Sequence, residues 1–272
     1  MSSTLYNYQD SEFNLNEAGS YTLLLLASAE YFSYAVVKAG KLMAWLRDCP
    51  AQHLHNPSEE LNSLLHAGYA QVIVGIESQK FTLWPAALFE PNQLPAMARL
   101  LNVELNECVF YDRLDQYNTA VYTAPNALAD LIQNYGWESQ TTLGAKGWIK
   151  AIASNSPSEQ SIYINVHKQW VDVLYFRGDK VRLYNKFKFK NAEELVYYTL
   201  LTVQELDLDL KVTSVKATGS IQPADPCISR LAEFFKSAEV MTLSVIDLPS
   251  EADPNAILTL SALNLCVSLA EV

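Results

Sequence analysis

From Tyr21 onward the chain alternates short apolar runs with polar breaks. Residues 21–27, 31–37 and 42–46 are three such runs, separated by Ser28-Ala29-Glu30 and by Lys38-Ala39-Gly40-Lys41. Breaks that short join antiparallel neighbours, so the spacing predicts a meander. A polar loop over 50–57 precedes 58–67, where Leu61, Leu64 and Leu65 recur at helical spacing and Gly68 stands at the stop. Residues 72–76 follow as a fully apolar strand. The same order returns later: strands over 161–166, 170–176 and 181–189, a helix over 192–206, and a strand over 211–217. Two copies of one order of elements, with little residue identity between them, predict an internal duplication.

Between the copies the pattern predicts a strand over 81–85 and a helix over 92–101 interrupted near its start by Pro95. Strands over 109–112 and 119–123 follow. A helix over 125–135 has Pro125 early and Gly136 at its stop. A helix over 143–153 and the break Asn155-Ser156-Pro157-Ser158 complete the first part. Beyond the second copy come a helix over 228–237, a strand over 240–246 and a Pro/Asp/Glu loop. The last segment, 255–270, stays open between two readings. Leu258 and Leu260 alternate with Thr259 and Ser261 as in a strand, whereas Ser261, Asn264 and Ser268 share a helix face and Asp253-Pro254 signals a helix start. The helix is favoured.

Composition narrows the function classes. At 272 residues the chain accommodates two modest domains of ~100–200 residues. Half of it is hydrophobic and 18% is charged, which is the profile of an ordered protein. A net charge of -11 argues against DNA binding and makes RNA a weak option, because phosphate recognition draws on an excess of Lys and Arg. Cys49, Cys108, Cys227 and Cys266 are scattered with no CxxC pair, so neither a zinc site nor a disulfide framework is expected. Residues 1–10 lack the order of a secretory signal, and the apolar run 21–27 is far short of the ~20 residues needed to cross a bilayer. The polar residues Thr259, Ser261, Asn264 and Ser268 interrupt 256–270. A cytoplasmic location without a membrane span is the expectation.

The order of elements resembles the actin, sugar-kinase and Hsp70 superfamily. Within it, the chain is similar to the bacterial branch of the pilus-assembly platform and the FtsA-type division ATPases, in which a small subdomain is inserted in the first half. Lys80-Phe81-Thr82-Leu83-Trp84-Pro85, the segment 92–101, and Thr119-Ala120-Val121-Tyr122-Thr123-Ala124-Pro125 through Gly136-Trp137 resemble that insertion. Residues 258–269 resemble the branch's terminal helix, which returns to the first domain. Asn185-Lys186-Phe187 and Glu193-Glu194-Leu195-Val196-Tyr197-Tyr198 also resemble a family of uncharacterised bacterial proteins with this fold. The resemblance covers about 20–272. It implies an α/β fold of mixed sheets, with duplicated RNase H-like domains in the actin-like ATPase architecture. The first domain would span 20–156, with its inserted subdomain at about 78–137, and the second 157–272.

Active members of the superfamily carry Asp-x-Gly at two strand turns. The carboxylates organise Mg²⁺ and water, and glycine lets backbone N–H groups approach phosphate. The corresponding turns here are Ala27-Ser28-Ala29 and Asn165-Val166-His167, and neither has Asp or Gly. The adenosine-side Gly-Gly turn maps to Thr218-Gly219-Ser220, where one glycine remains. The resemblance therefore points to degenerate cleft positions Ala27, Ala29, Asn165, His167, Thr218 and Gly219, with no catalytic residue, no metal, and no cofactor, ATP included. Phosphoryl transfer is mostly electrostatic positioning and suffers most from lost carboxylates.

Other groupings have plainer roles to set beside the functional ones. His53, His55 and His66 lack a Cys that would complete a metal set, and read as surface histidines. His167, with Asn165 and Asp172 nearby, suggests acid–base chemistry, but a satisfied structural turn explains it better in the absence of a Gly-x-Ser-x-Gly nucleophile motif. Arg177, Lys180, Arg182, Lys186, Lys188 and Lys190 oppose one acid, Asp179. Alternation with Phe187 and Phe189 predicts a strand with aromatics inward and cations outward, suited to an acidic protein partner or simply solvated. Trp170, Tyr197 and Tyr198 are expected in the core. The reading that results is a catalytically inactive, actin-like binding or assembly module with a protein partner or self-association. The alternative is a nucleotide- or small-ligand-binding protein of the same fold with non-standard site residues.

Overall fold

The structure, a computed structural model, describes residues 6–266. The chain forms two compact units. One holds the chain up to Lys150, with Val245–Glu251 and the segment from Thr259 on; the other holds Ala151–Ser244 and Ala252–Leu258.

In the first unit the strands β1 (Tyr8–Gln9), β2 (Thr22–Ala27), β3 (Tyr31–Lys38) and β4 (Lys41–Pro50) lead through short α1 (Gln52–His55) to α2 (Glu59–Leu65) and β5 (Gln71–Ile76). The β3–β4 turn is two residues, Ala39 and Gly40, both at positive φ, the geometry that matches strand twist in a tight hairpin. Helix α2 begins where the Ser58 side chain accepts from Leu61 N–H, with Glu59 and Glu60 complementing its N-terminus, and it buries Leu61, Leu64 and Leu65. β5 then pairs parallel with β2, Leu24 beside Ile73. Both strands are buried on both faces, which is why they read as unbroken apolar runs.

An insertion follows: β6 (Phe81–Pro85), α3 (Leu94–Leu100), β7 (Glu107–Arg113), β8 (Asn118–Pro125) and α4 (Asn126–Tyr135), the last ended by Gly136 in the left-handed region. Its strands form a separate sheet ordered β6-β8-β7, packed on one side by Met97 and Leu101. β9 (Thr141–Leu143) and α5 (Lys146–Ala153) close the unit, whose main sheet runs β1-β4-β3-β2-β5-β9.

The second unit contains β10 (Ser161–His167), β11 (Trp170–Arg177), β12 (Lys180–Lys188), α6 (Ala192–Glu205), β13 (Ser214–Gly219), α7 (Pro226–Ala232) and β14 (Ser237–Val240). Its sheet is ordered β12-β11-β10-β13-β14. Apart from the extra β1, the two main sheets have the same order and the same directions: an antiparallel meander, then two parallel strands. The duplication is thus present in the topology. One face of the second sheet, with Ile162, Ile164, Val171 and Val173, packs under α6 and α7 through Leu195, Val196, Val203 and Leu231. α8 (Pro254–Ala262) and a 3-10 turn, Leu263–Cys266, end the described chain.

Several sequence expectations need correction. The strand expected over 240–246 is absent beyond Val240. The helix expected to reach 237 stops at Ala232, and Ser237–Val240 forms the strand instead; Leu243 and Ile246 are buried three apart, off the two-residue period of a strand. The strand expected at 211 starts at Ser214, because Asp209 closes a turn on Lys211 and Thr213. β1, α1 and β9 carry no sequence signal, since two to four residues are too few for a periodic pattern. For 255–270 the structure shows helix to Ala262; positions beyond 266 lie outside the described residues. Here Gly147 of α5 matters: a Cβ on it would fall 2.4 Å from the Ala262 backbone, so only glycine allows the terminal segment this approach.

Candidate functional site

The turn after β2 carries Ala27 and Ala29. Ala27 is buried, pairs with Ile76 across the parallel register, and its carbonyl accepts from Glu77 N–H at 2.8 Å. Ala29 is exposed. Between them Ser28 organises the turn. Its N–H donates to Tyr31 O at 2.8 Å, and its Oγ lies 3.0 Å from Tyr31 N–H and 3.3 Å from Glu30 N–H, accepting from both. Two backbone donors at the tip are therefore bonded within the turn.

The turn after β10 is built differently. Asn165 is fully buried and stands opposite Asp172 in the β10–β11 ladder, with Thr218 beside it on β13. Asp172 is 2% exposed. Its Oδ2 lies 2.9 Å from His167 Nε2; its Oδ1 accepts from Tyr184 OH at 3.1 Å and lies 3.7 Å from Lys186 Nζ. Burial alone would raise the Asp172 carboxyl, but the Lys186 charge and the bonds from His167 and Tyr184 outweigh it and hold the group below its ordinary value. Both oxygens are thus occupied by protein groups. His167 Nε2 also lies 2.8 Å from Asn165 Nδ2, so one ring nitrogen faces an amide donor and a carboxylate acceptor, and the ring's tautomer decides which bond forms.

Thr218 and Gly219 complete this cluster. Thr218 Oγ1 donates to Ile164 O at 3.1 Å and lies 3.3 Å from Asn165 Oδ1. Gly219 has φ +87°, and a Cβ there would lie 2.4 Å from Val166 O and 2.5 Å from Asn165 Oδ1. Both the positive φ and this close approach call for glycine here. Asn165, His167, Thr218 and Gly219 are therefore brought together, within the second unit, around a carboxylate one strand away from the mapped position.

The basic stretch divides. Arg177, Lys180, Arg182, Lys188 and Lys190 are exposed. Lys186 is not: its side chain is 9% exposed and turned to Asp172. The expected alternation fails there because a buried carboxylate draws the cation inward, while Phe187 on the other face packs against the core. Trp170 is half-buried under Lys188, whose Nζ is 5.8 Å from the ring centroid, and Tyr198 is half-buried. Tyr197, expected in the core, is 59% exposed, since it falls on the outer side of α6.

Among the described residues no three His, Cys, Asp or Glu are grouped to hold a metal. His53 and His55 belong to α1, while His66 Nδ1 lies 3.0 Å from Asn62 O with its ring against Tyr135. All four cysteines are free thiols, and burial raises each; Cys227 is pushed up to about 12 by burial and by Asp225. One cluster had no sequence signal. Asp112 of β7 accepts from Thr142 Oγ1 and from Lys146 Nζ, the latter at 2.9 Å, tying the inserted sheet to β9 and α5. Partners thirty and more positions apart leave no motif to read.

The comparisons with known proteins agree with this architecture. A crystal structure from Bacteroides thetaiotaomicron, described as a protein with actin-like ATPase fold and unknown function, is similar at TM-score 0.79 and 18% identity, over 94% of this chain and all of that one. The PilM structure of the PilM–PilN type IV pilus biogenesis complex is similar at TM-score 0.59 and 12% identity, over 90% of this chain and 98% of that one. A search of curated proteins finds no match. The family described as "Protein of unknown function (DUF3822)" matches residues 10–238. With most of its length matched, the chain belongs to the DUF3822 family, and its fold is the mixed α/β, actin-like ATPase fold.

Proposed function

We propose that this chain is a catalytically inactive actin-like protein that serves in the cytoplasm as a protein-binding or assembly module. The observation that carries the reading is the state of the carboxylates. Ala27 and Asn165 stand at the two turn positions, and both oxygens of the acid paired with Asn165, Asp172, are taken up by His167, Tyr184 and Lys186. A divalent ion bound through carboxylates needs oxygens that are free to coordinate it, and phosphoryl transfer depends on that charge. The first turn adds to this, because Ser28 holds the N–H groups that would otherwise face an anion.

A protein partner is the second half of the reading. Five exposed cations between Arg177 and Lys190, on a chain of net charge -11, suit an acidic protein surface. The similarity to PilM, whose structure is that of a complex with PilN, supports a partner-binding use of the fold. No helix among the described residues is long and apolar enough to cross a membrane.

Calorimetric titration with MgATP, paired with a phosphate-release assay, tests the inactive half. The expected result is no binding heat in the micromolar range and no phosphate. Micromolar binding, or any release of phosphate above a protein-free control, would favour the nucleotide-binding alternative.

A further inference from the structure

The five-stranded sheet ends on β12, whose outer edge pairs with no strand among the described residues. At nine residues this is a long open edge, and native sheets keep such edges short or guard them with charge. The charges here are of one sign: Lys180, Arg182 and Lys188 are exposed along the strand, and Lys190 follows it. A second copy laid antiparallel on the same edge would set cations against cations, and like charges directly opposite destabilise a strand pair. The edge therefore disfavours self-pairing and favours a strand of opposite charge. Next to it lies an aromatic shelf. Phe187 stacks on Tyr198 with centroids 4.7 Å apart, and Tyr197, 5.3 Å from Tyr198, leaves α6 for solvent.

We propose that β12 is the docking edge for an acidic, extended segment of a partner protein, which adds as a further strand. Main-chain hydrogen bonds to the open edge supply affinity, carboxylates meeting Lys180, Arg182 and Lys188 supply the sign preference, and alternate apolar side chains rest on Phe187 and Tyr197. The inference rests on the acidic-partner reading of this stretch and adds the mode of binding to it.

Fluorescence anisotropy on the full chain tests it, with a dye-labelled synthetic peptide of alternating Glu and Val as probe. Comparison probes are the same peptide N-methylated at alternate residues in each of the two registers, and a Lys–Val counterpart. The expected result is saturable binding of the Glu–Val peptide, about tenfold weaker binding of at least one N-methylated form through lost edge hydrogen bonds, and none of Lys–Val. The doubly substituted Arg182→Glu/Lys188→Glu protein, altered only at exposed positions, should lose a comparable factor while keeping its circular dichroism spectrum. Binding of both N-methylated forms as tight as that of the unmethylated peptide overturns strand addition and leaves the acidic-partner reading standing. Binding of Lys–Val as strong as Glu–Val, an unaffected charge-reversed protein, or no binding of any acidic probe overturns both.

Discussion

The turns after β2 and after β10 occupy the same place in two copies of one topology, and they are stabilised by opposite means. In the first, a neutral hydroxyl, Ser28 Oγ, gathers the turn's own N–H groups, and an apolar residue, Ala27, fills the buried position. In the second, a buried carboxylate is kept charged by an inward lysine, a histidine and a tyrosine. Neutral turns tolerate change because each bond contributes little on its own. A buried charge does not, since each partner left behind is desolvated and unpaired. The same topological position is thus held in one copy by a neutral hydroxyl and in the other beside a buried carboxylate whose charge is compensated.

The comparison can be broken at its strongest point first. Lys186→Met should destabilise the protein by about 3–5 kcal/mol in urea unfolding, because Asp172 is left without its cation. Adding Asp172→Asn in the same chain should recover much of that loss. A single mutant within about 1 kcal/mol of wild type would mean that the pair behaves as an exposed one. Next in size, Gly219→Ala should cost about 2–3 kcal/mol, since a methyl at positive φ would press on the Val166 carbonyl. Gly40→Ala, also at positive φ but with nothing within 4 Å, should cost only about 1 kcal/mol. Equal losses at the two glycines would remove close packing from the account of the second turn.

The pH dependence separates the turns further. The Asp172 carboxyl lies below its unfolded value, so its contribution is complete above the unfolded pKa of about 3.9 and disappears as pH falls through the folded value. Urea titrations repeated from neutral pH down through that window should show a shallower fall for Asp172→Asn than for wild type; matching curves would place the acid sensitivity elsewhere. The smallest effect belongs to the first turn, where Ser28→Ala should cost about 1 kcal/mol with no change in pH profile. A loss as large as that of Lys186→Met would erase the contrast between the turns.

Much of the fold was legible from the chain alone because its signals are local. Short polar breaks between apolar runs marked both meanders, and Gly136 ends α4 in the left-handed conformation that glycine favours. Short parallel strands were less readable. β9 has three residues and β14 four, and each exists because a parallel neighbour, β5 or β13, offers its edge. At the candidate site, the absence of Asp at 27 and 165 could be read directly. The neutralised Asp172, the inward Lys186 and the Asp112–Lys146 pair could not.

For the two turns, then, the topology that creates them and the residue types at their tips are written in the chain, since hydrophobic period and turn chemistry act over a few neighbouring positions. What those residues do depends on contacts made between strands. Strand pairing sets Asp172 beside Asn165 and brings Lys186 and Tyr184 across from a third strand. Charge, burial and hydrogen bonding depend on which groups meet in space, and a cation that looks exposed by its place in a strand turns inward when a buried carboxylate is within reach.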